Sequence, residues 1–207
     1  MNVYAKACLM TDRDIDSYKK QLRCQMRLQR QVLSASWRRY AAQNIAKQAD
    51  NLLKRGQRIA VYRAYGSELD LLPLIKRALL KKVQLYLPQV PKWGRQLQFV
   101  PYSAKQLLLH PFAKSVQRIY PFKRARQLDI LFVPLLAVDH QGYRLGQGGG
   151  FYDASLKFRQ FHRLAQKPIV IGVSFTCQCI QHVPHTNWDI PLDGLITELK
   201  VTWFTTI

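Results

Sequence analysis

A layered α/β fold with a largely parallel sheet is what this sequence predicts, and three observations carry the prediction. Short apolar runs bounded by Pro and Gly recur after Gly56, stretches of helical periodicity separate several of them, and a glycine-rich segment lies between one such run and a helix. The 207 residues, 48% hydrophobic and 21% charged, have an ordinary globular composition, which excludes disordered, coiled-coil and collagen-like chains. One domain over residues 1–207 is expected. The architecture is three layers, a sheet flanked by helices, Rossmann-like without a dinucleotide fingerprint.

From Thr11 to about Gln31, Ile15, Tyr18, Leu22 and Met26 recur at helical spacing, with Asp12 and Asp14 in the first turn, where a helix dipole favours negative charge. A second amphipathic helix is expected after Ser36, a good N-cap residue, with Trp37, Ala41, Ile45, Ala49 and Leu52 on one face until Gly56 stops it. Strands are predicted over Arg58–Arg63, Val83–Leu87, Leu97–Val100, Asp129–Val133 and Pro168–Phe175. Helices are predicted over Asp70–Lys82, from Leu71, Ile75 and Leu79, and in the segment following Gly150. Pro88–Arg95 and His110–Gln127 read as irregular loops.

The charge is less ordinary. Thirty-two Lys and Arg stand against 12 Asp and Glu, a net +20, so the chain is drawn to anions: nucleic acid, an acidic membrane surface, nucleotide phosphates or a polyglutamylated small molecule. Glu68 and Glu198 are the only glutamates. Four scattered cysteines (Cys8, Cys24, Cys177, Cys179) are too few for a disulfide framework, which points to a reducing compartment. No apolar run reaches the roughly 18 residues of a membrane span, and the opening segment, broken by Lys6, is unlike a targeting peptide; a cytoplasmic protein is expected.

The most informative segment runs from Val133 to Asp153. Gly146, Gly148, Gly149 and Gly150 remove the Cβ atoms that keep backbone N–H groups away from a bulky anion, and a helix dipole behind them adds to such a site. A Walker loop needs Gly-Lys-Ser/Thr and a dinucleotide fingerprint needs Gly at 151; Phe151 excludes both. Asp139 reads as a turn residue ahead of Gly142. Cys177, Cys179, His182 and His185 superficially offer four zinc ligands, but the C-x-C spacing is too tight and the cysteines read better as small hydrophobes.

Val133-Pro-Leu-Leu-Ala-Val-Asp139 and Tyr143-Arg-Leu-Gly-Gln-Gly-Gly-Gly-Phe-Tyr-Asp153 resemble the signature of the 5-formyltetrahydrofolate cyclo-ligase family. Lys19-Lys-Gln-Leu-Arg23, the segment Tyr62–Asp70, Gly172–Gln178 and Trp188–Glu198 resemble further stretches in the same order. The chain departs from the family pattern at Tyr120, Leu71 and Gln147.

The resemblance implies ATP-dependent closure of 5-formyltetrahydrofolate to 5,10-methenyltetrahydrofolate by phosphorylation of the formyl oxygen, releasing ADP and phosphate. Chemistry of that kind needs positioning and charge neutralisation. It implies that Lys19, Arg23, Arg144, Gly146, Gly148, Gly149, Gly150 and Tyr152 bind ATP, with Arg144 and Tyr152 catalytic. Folate would be held by Arg63, Glu68, Gln147, Gly148, Gly149, Gly150 and Phe151. Asp153 and Asp189 would hold Mg²⁺, which takes one or two carboxylates beside phosphates. The expected partners are ATP and a folate, on a monomer that engages no membrane.

The alternative is a basic nucleic-acid-binding protein, motivated by the stretches Lys19–Arg58, Lys114–Arg126 and Lys157–Lys167. It lacks any recognisable binding motif or stacking platform.

Overall fold

The computed structural model describes residues 12–102, 121–161 and 167–204. Helix α1 spans Asp12–Gln31 and α2 spans Ala35–Gln48, extended by a 3₁₀ turn over Ala49–Leu52. The cap of α2 is Ser34, two residues earlier than expected: its backbone is extended and its Oγ accepts the Trp37 N–H at 3.2 Å. The turn is decided by a contact no local pattern reveals. Arg38 donates back to the carbonyls of Arg30, Gln31 and Leu33, each at 3.0 Å, closing α1 and leaving Ser34 to open α2.

Strand β1 (Arg58–Ala60) leads through α3 (Leu72–Leu80) to β2 (Gln84–Gln89) and β3 (Gln98–Pro101). Next come β4 (Ile130–Pro134), β5 (Ala137–Val138) and β6 (Arg144–Leu145). Helices α4 (Phe151–Leu156) and α5 (Phe158–Phe161), then β7 (Ile169–Val173), β8 (Gly194–Ile196) and β9 (Val201–Trp203), complete the order. The five predicted strands are all present; β1 and β7 are shorter than expected, and the other three are displaced by about one residue. Most of the expected loop 110–127 lies outside the described residues, as do Thr11 and Tyr120; within it, Lys123 bridges Phe99 and a 3₁₀ turn forms over Ala125–Gln127.

The main sheet has the order β3-β2-β1-β4-β7-β8-β9, parallel throughout its centre, with antiparallel edges β3 and β9. Side chains alternate across it. Ile130 and Phe132 enter a core with α2 and α3 through Ile45, Leu74 and Ala78; Leu131 and Val133 enter a second core with Leu156 of α4. Three layers follow from burying both faces, in agreement with the expected fold class.

Two corrections concern the glycine loop. It follows the small antiparallel hairpin β5-β6 and not the buried strand directly. The helix behind it, α4, is only six residues long, so its dipole is a minor contributor beside the loop's own N–H groups. Strands β5, β6, β8 and β9 were not expected; each has two or three residues, too few for periodicity to register.

Candidate functional site

The chain order reverses around β1 and β4: β1 leads to β2 on one side, and β4 leads to β7 and β8 on the other. A crevice at the carboxyl ends of the strands is where such sheets bind ligands. Three segments converge there: the loop after β1 carrying Ser67 and Glu68, the glycine loop carried by β5-β6, and the loop through Asp189.

Helix α1 joins them. Leu22 and Met26, both buried, dock it on Leu136, Ala137 and Leu145 of the hairpin region and on Val183. Docking by that stripe directs a neighbouring basic row at the crevice. Lys19 Nζ lies 3.0 Å from Asp189 Oδ2, and Arg23 Nε donates to the Gly146 carbonyl at 3.0 Å. Arg27 Nη2 donates to Gln147 Oε1 at 2.8 Å, and Arg30 Nε to Ser67 Oγ at 2.9 Å. Gln147 passes the link on, its Nε2 donating to Glu68 Oε1 at 3.1 Å. Arg27 and Arg30 were not anticipated as site residues, although the signal was present: they extend Lys19 and Arg23 at spacings of four and three.

Three of the four loop glycines are sterically required. Gly148 and Gly150 adopt φ of +102° and +64°, and a Cβ on Gly149 would stand 2.7 Å from the Phe151 ring. A Cβ on Gly148 would touch the Arg23 guanidinium at 3.5 Å, so that cation lies directly on the loop. Burial, and then Arg27, lower the Arg23 pKa, while Asp16 and Asp189 oppose the shift. Gly146 is open, with nothing near the position a Cβ would take.

Arg144 is buried and already engaged. One terminal nitrogen donates to the Ile190 carbonyl and the other to Asp153 Oδ1, the latter at 2.7 Å. The ATP-binding role that the resemblance implies for Arg144 did not reveal this pairing with Asp153. Ile190 N–H also donates to Asp153 Oδ1, at 3.2 Å, so the loop carrying Asp189 touches α4, which carries Asp153. Asp189 Oδ2 accepts from Lys19, from Thr186 N–H at 2.8 Å and from Thr186 Oγ1 at 3.2 Å. Burial raises the Asp189 carboxyl, but the Thr186 N–H and Lys19 outweigh it and the net shift is downward.

Tyr152 lies half-buried at the start of α4. Burial and the charge of Glu68 push its phenol well up, against the opposing pull of Arg144, so the hydroxyl stays protonated and can donate. Tyr62, buried in the first core, donates to the Leu69 carbonyl at 3.1 Å. Arg63 stands half-buried between β1 and Glu68, and Phe151 half-buried against the second core. Leu71, one of the departures, is buried among the residues of the first core.

The Asp153–Asp189 pair suits a hard divalent cation. The hydrogen bonds of each carboxylate fall on one oxygen, so Oδ2 of Asp153 and Oδ1 of Asp189 accept none from a described residue. A carboxylate oxygen on α4 and one on the 182–190 loop, the latter beside Lys19, are of the kind a hard cation shared with phosphates takes. The four-ligand zinc arrangement does not form: His182 and His185 gather with Asp139, without Cys177 or Cys179. Desolvation, and then Glu198, raise both thiols, which stay protonated.

Fold and site together define an α/β enzyme whose crevice, at a topological switch point, combines a glycine loop, a cation row and two carboxylates. The sequence pattern of the 5-formyltetrahydrofolate cyclo-ligase family matches residues 15–198. A 5-formyltetrahydrofolate cyclo-ligase of Haemophilus influenzae is 32% identical over 187 residues, covering 86% of this chain and 96% of the relative. One of Escherichia coli K12 is 34% identical, covering 69% of this chain and 79% of the relative. The solved 5,10-methenyltetrahydrofolate synthetase of Aquifex aeolicus superposes with a TM-score of 0.70 at 28% identity, covering 91% of this chain and 94% of that one. That of Mycoplasma pneumoniae shares the fold, with a TM-score of 0.69 at 21% identity over 87% and 98% of the two chains. The chain belongs to the 5-formyltetrahydrofolate cyclo-ligase family and is an enzyme of the ligase class. Among the described residues, no helix is long and apolar enough to cross a membrane.

Proposed function

We propose that this chain, acting as one catalytic domain, uses ATP to close the formyl group of 5-formyltetrahydrofolate onto N10, giving 5,10-methenyltetrahydrofolate, ADP and phosphate. One observation carries the reading: α1 meets the glycine loop, the Glu68 loop and the Asp189 loop at once, so a single helix bridges the places where triphosphate, folate and cation would lie. The formyl oxygen leaves poorly as hydroxide; once phosphorylated it departs as phosphate, the C–O bond breaking as the C–N10 bond forms and N10 loses its proton. No protein nucleophile is needed. Position and charge are.

Lys19 and Arg23 would bind the phosphates, their present partners giving way to a stronger anion. Backbone N–H groups of residues 146–150 would close around the same oxygens. Arg144 holds Asp153 and the Ile190 carbonyl in place, a positioning role. Tyr152 would donate to a phosphate oxygen, and Glu68 would accept from the pterin's amino and ring N–H groups. Mg²⁺, where bound, would neutralise phosphate charge, with Asp153 and Asp189 as its ligands. The nucleic-acid alternative loses its argument from α1, whose basic residues at 19, 23, 27 and 30 are engaged within the chain.

Mixing the purified protein with Mg-ATP and 5-formyltetrahydrofolate tests this reading. Growth of the methenyl product's absorbance, with one ADP released per turnover, is the expected result. Absence of product together with folate-independent ATP hydrolysis overturns it.

A further inference from the structure

A second group of ligand-type side chains joins the loop leading to Asp189 to the turn after β5. Asp139, His182 and His185 each place a ligand atom within 4.8 Å of the others. The Asp139 side chain is wholly buried, and its oxygens accept the N–H groups of Gln141, Tyr143 and Val183, each at 3.0 Å. Asp50, Asp129, Asp153, Asp189 and Asp193 each pair with a Lys or Arg. Asp139 pairs with none among the described residues; the base nearest it is His182, whose Nδ1 is 4.0 Å from Oδ2.

The imidazoles are oriented. His185 stacks on Tyr143 with centroids 3.5 Å apart and planes 3° from parallel. Its Nδ1 lies 3.0 Å from the Val183 carbonyl, which can only accept, so Nδ1 carries the proton and the Nε2 lone pair is left available. A metal-binding histidine commonly has this arrangement, its second nitrogen fixed by a backbone carbonyl. His182 meets His185 edge to face at 5.7 Å, and Val183, between them, donates its N–H to the third member of the group.

We propose that Asp139, His182 and His185 form a binding site for a borderline divalent metal of the Zn²⁺ class, separate from the carboxylate pair proposed for Mg²⁺. Two imidazoles and one carboxylate suit such an ion, whereas Mg²⁺ favours an all-oxygen shell. Three protein ligands leave a position for solvent. The bound ion staples the loop 182–189 to the turn at Asp139. Thr186, next to His185, holds Asp189 together with Lys19, so the staple stiffens the segment presenting that carboxylate.

The test uses full-length protein without a tag, stripped with chelator and titrated with Zn²⁺ in excess Mg²⁺, which occupies hard oxygen sites. Calorimetry should show one Zn²⁺ per chain and a raised melting temperature. Loss of a ligand's outer partner costs about 10- to 100-fold in metal affinity, so His182→Gln and His185→Gln should each weaken Zn²⁺ binding at least that much. The paired change Cys177→Ser with Cys179→Ser should leave it unchanged. Should His185→Gln fail to fold, His182→Gln and the visible spectrum of the Co²⁺-loaded wild type, which reports mixed nitrogen and oxygen ligation without thiolate, decide the matter. No Zn²⁺ bound, or binding that survives both histidine changes or is lost with the cysteines, overturns the proposal.

Discussion

Lys19 and Asp189 neutralise one another 3.0 Å apart, with side chains 13% and 24% exposed, and this half-buried pair is where binding and structure can be separated. Asp189 plays two parts with two oxygens: Oδ2 caps Thr186 and pairs with Lys19, while Oδ1 is left for a cation. Asp189→Asn keeps the size and a carbonyl oxygen able to accept the Thr186 N–H, but removes the charge a hard cation needs. The expected outcome is a higher Mg²⁺ requirement in turnover assays with a near-normal melting temperature. Lost stability with unchanged Mg²⁺ dependence would show that the residue only caps. Lys19→Ala against Lys20→Ala gives the companion measurement. Lys20 is exposed, and only the Lys19 change should raise the ATP requirement, by about 1.5–3 kcal/mol for a charge-assisted hydrogen bond, with the folate requirement little altered.

Among the elements, β7 is tightly packed at its one glycine. Gly172 faces β4 and β8, and a Cβ there would stand 2.6 Å from Leu192 Cδ1 and 2.8 Å from Leu135 Cδ2. Leu135 opens the connection from β4 to the hairpin that carries the glycine loop, and Leu192 follows the Asp189 loop. Gly172→Ala should therefore overpack the core by roughly 1–3 kcal/mol, read in chemical denaturation as a lower midpoint at unchanged slope. Turnover should fall further than the stability loss alone explains, because both displaced leucines support site loops. An unchanged midpoint would mean that the leucines repack freely.

Across the whole molecule, one buried-edge carboxylate ties the parallel centre of the sheet together. Asp129, just before β4, accepts the Arg58 N–H at the start of β1 at 2.8 Å, pairs with the Arg58 guanidinium at 3.3 Å, and pairs with Lys167 ahead of β7 at 2.7 Å. Burial pushes the Asp129 carboxyl up, but Lys167 and the Arg58 N–H and guanidinium outweigh it and hold the group at about 2. Its pKa is thus lower folded than unfolded, where about 3.9 is ordinary. The stabilisation is complete above that unfolded value and is lost as pH falls through the folded one. Unfolding free energy measured from pH 5 to pH 2 should decline, and Asp129→Asn should remove much of that slope. A parallel decline in the variant would assign the acid sensitivity to other carboxylates.

By itself the sequence determined the fold class, five of the seven strands of the main sheet and the family to which the chain belongs. Apolar periodicity reports which faces are buried, and a glycine run beside Arg144 and Asp153 carries its chemistry in the residue types. Lys19, Arg23, Glu68, Asp153 and Asp189 came instead from the resemblance to the family, and the structure pairs Lys19 with Asp189, seats Arg23 on the glycine loop and links Glu68 to Gln147 of that loop. Only the tertiary structure decided the pairings: Arg144 with Asp153, Lys19 with Asp189, Arg27 with Gln147, and the histidines with Asp139 in place of the cysteines. The short strands β5, β6, β8 and β9 belong with them, since two or three residues become a strand only when a partner from elsewhere in the chain supplies the hydrogen bonds. The reason is common to all of these. Local pattern fixes what a residue can do, whereas the partner of a charge or an edge strand depends on distances between segments far apart in sequence, set by how the two cores pack.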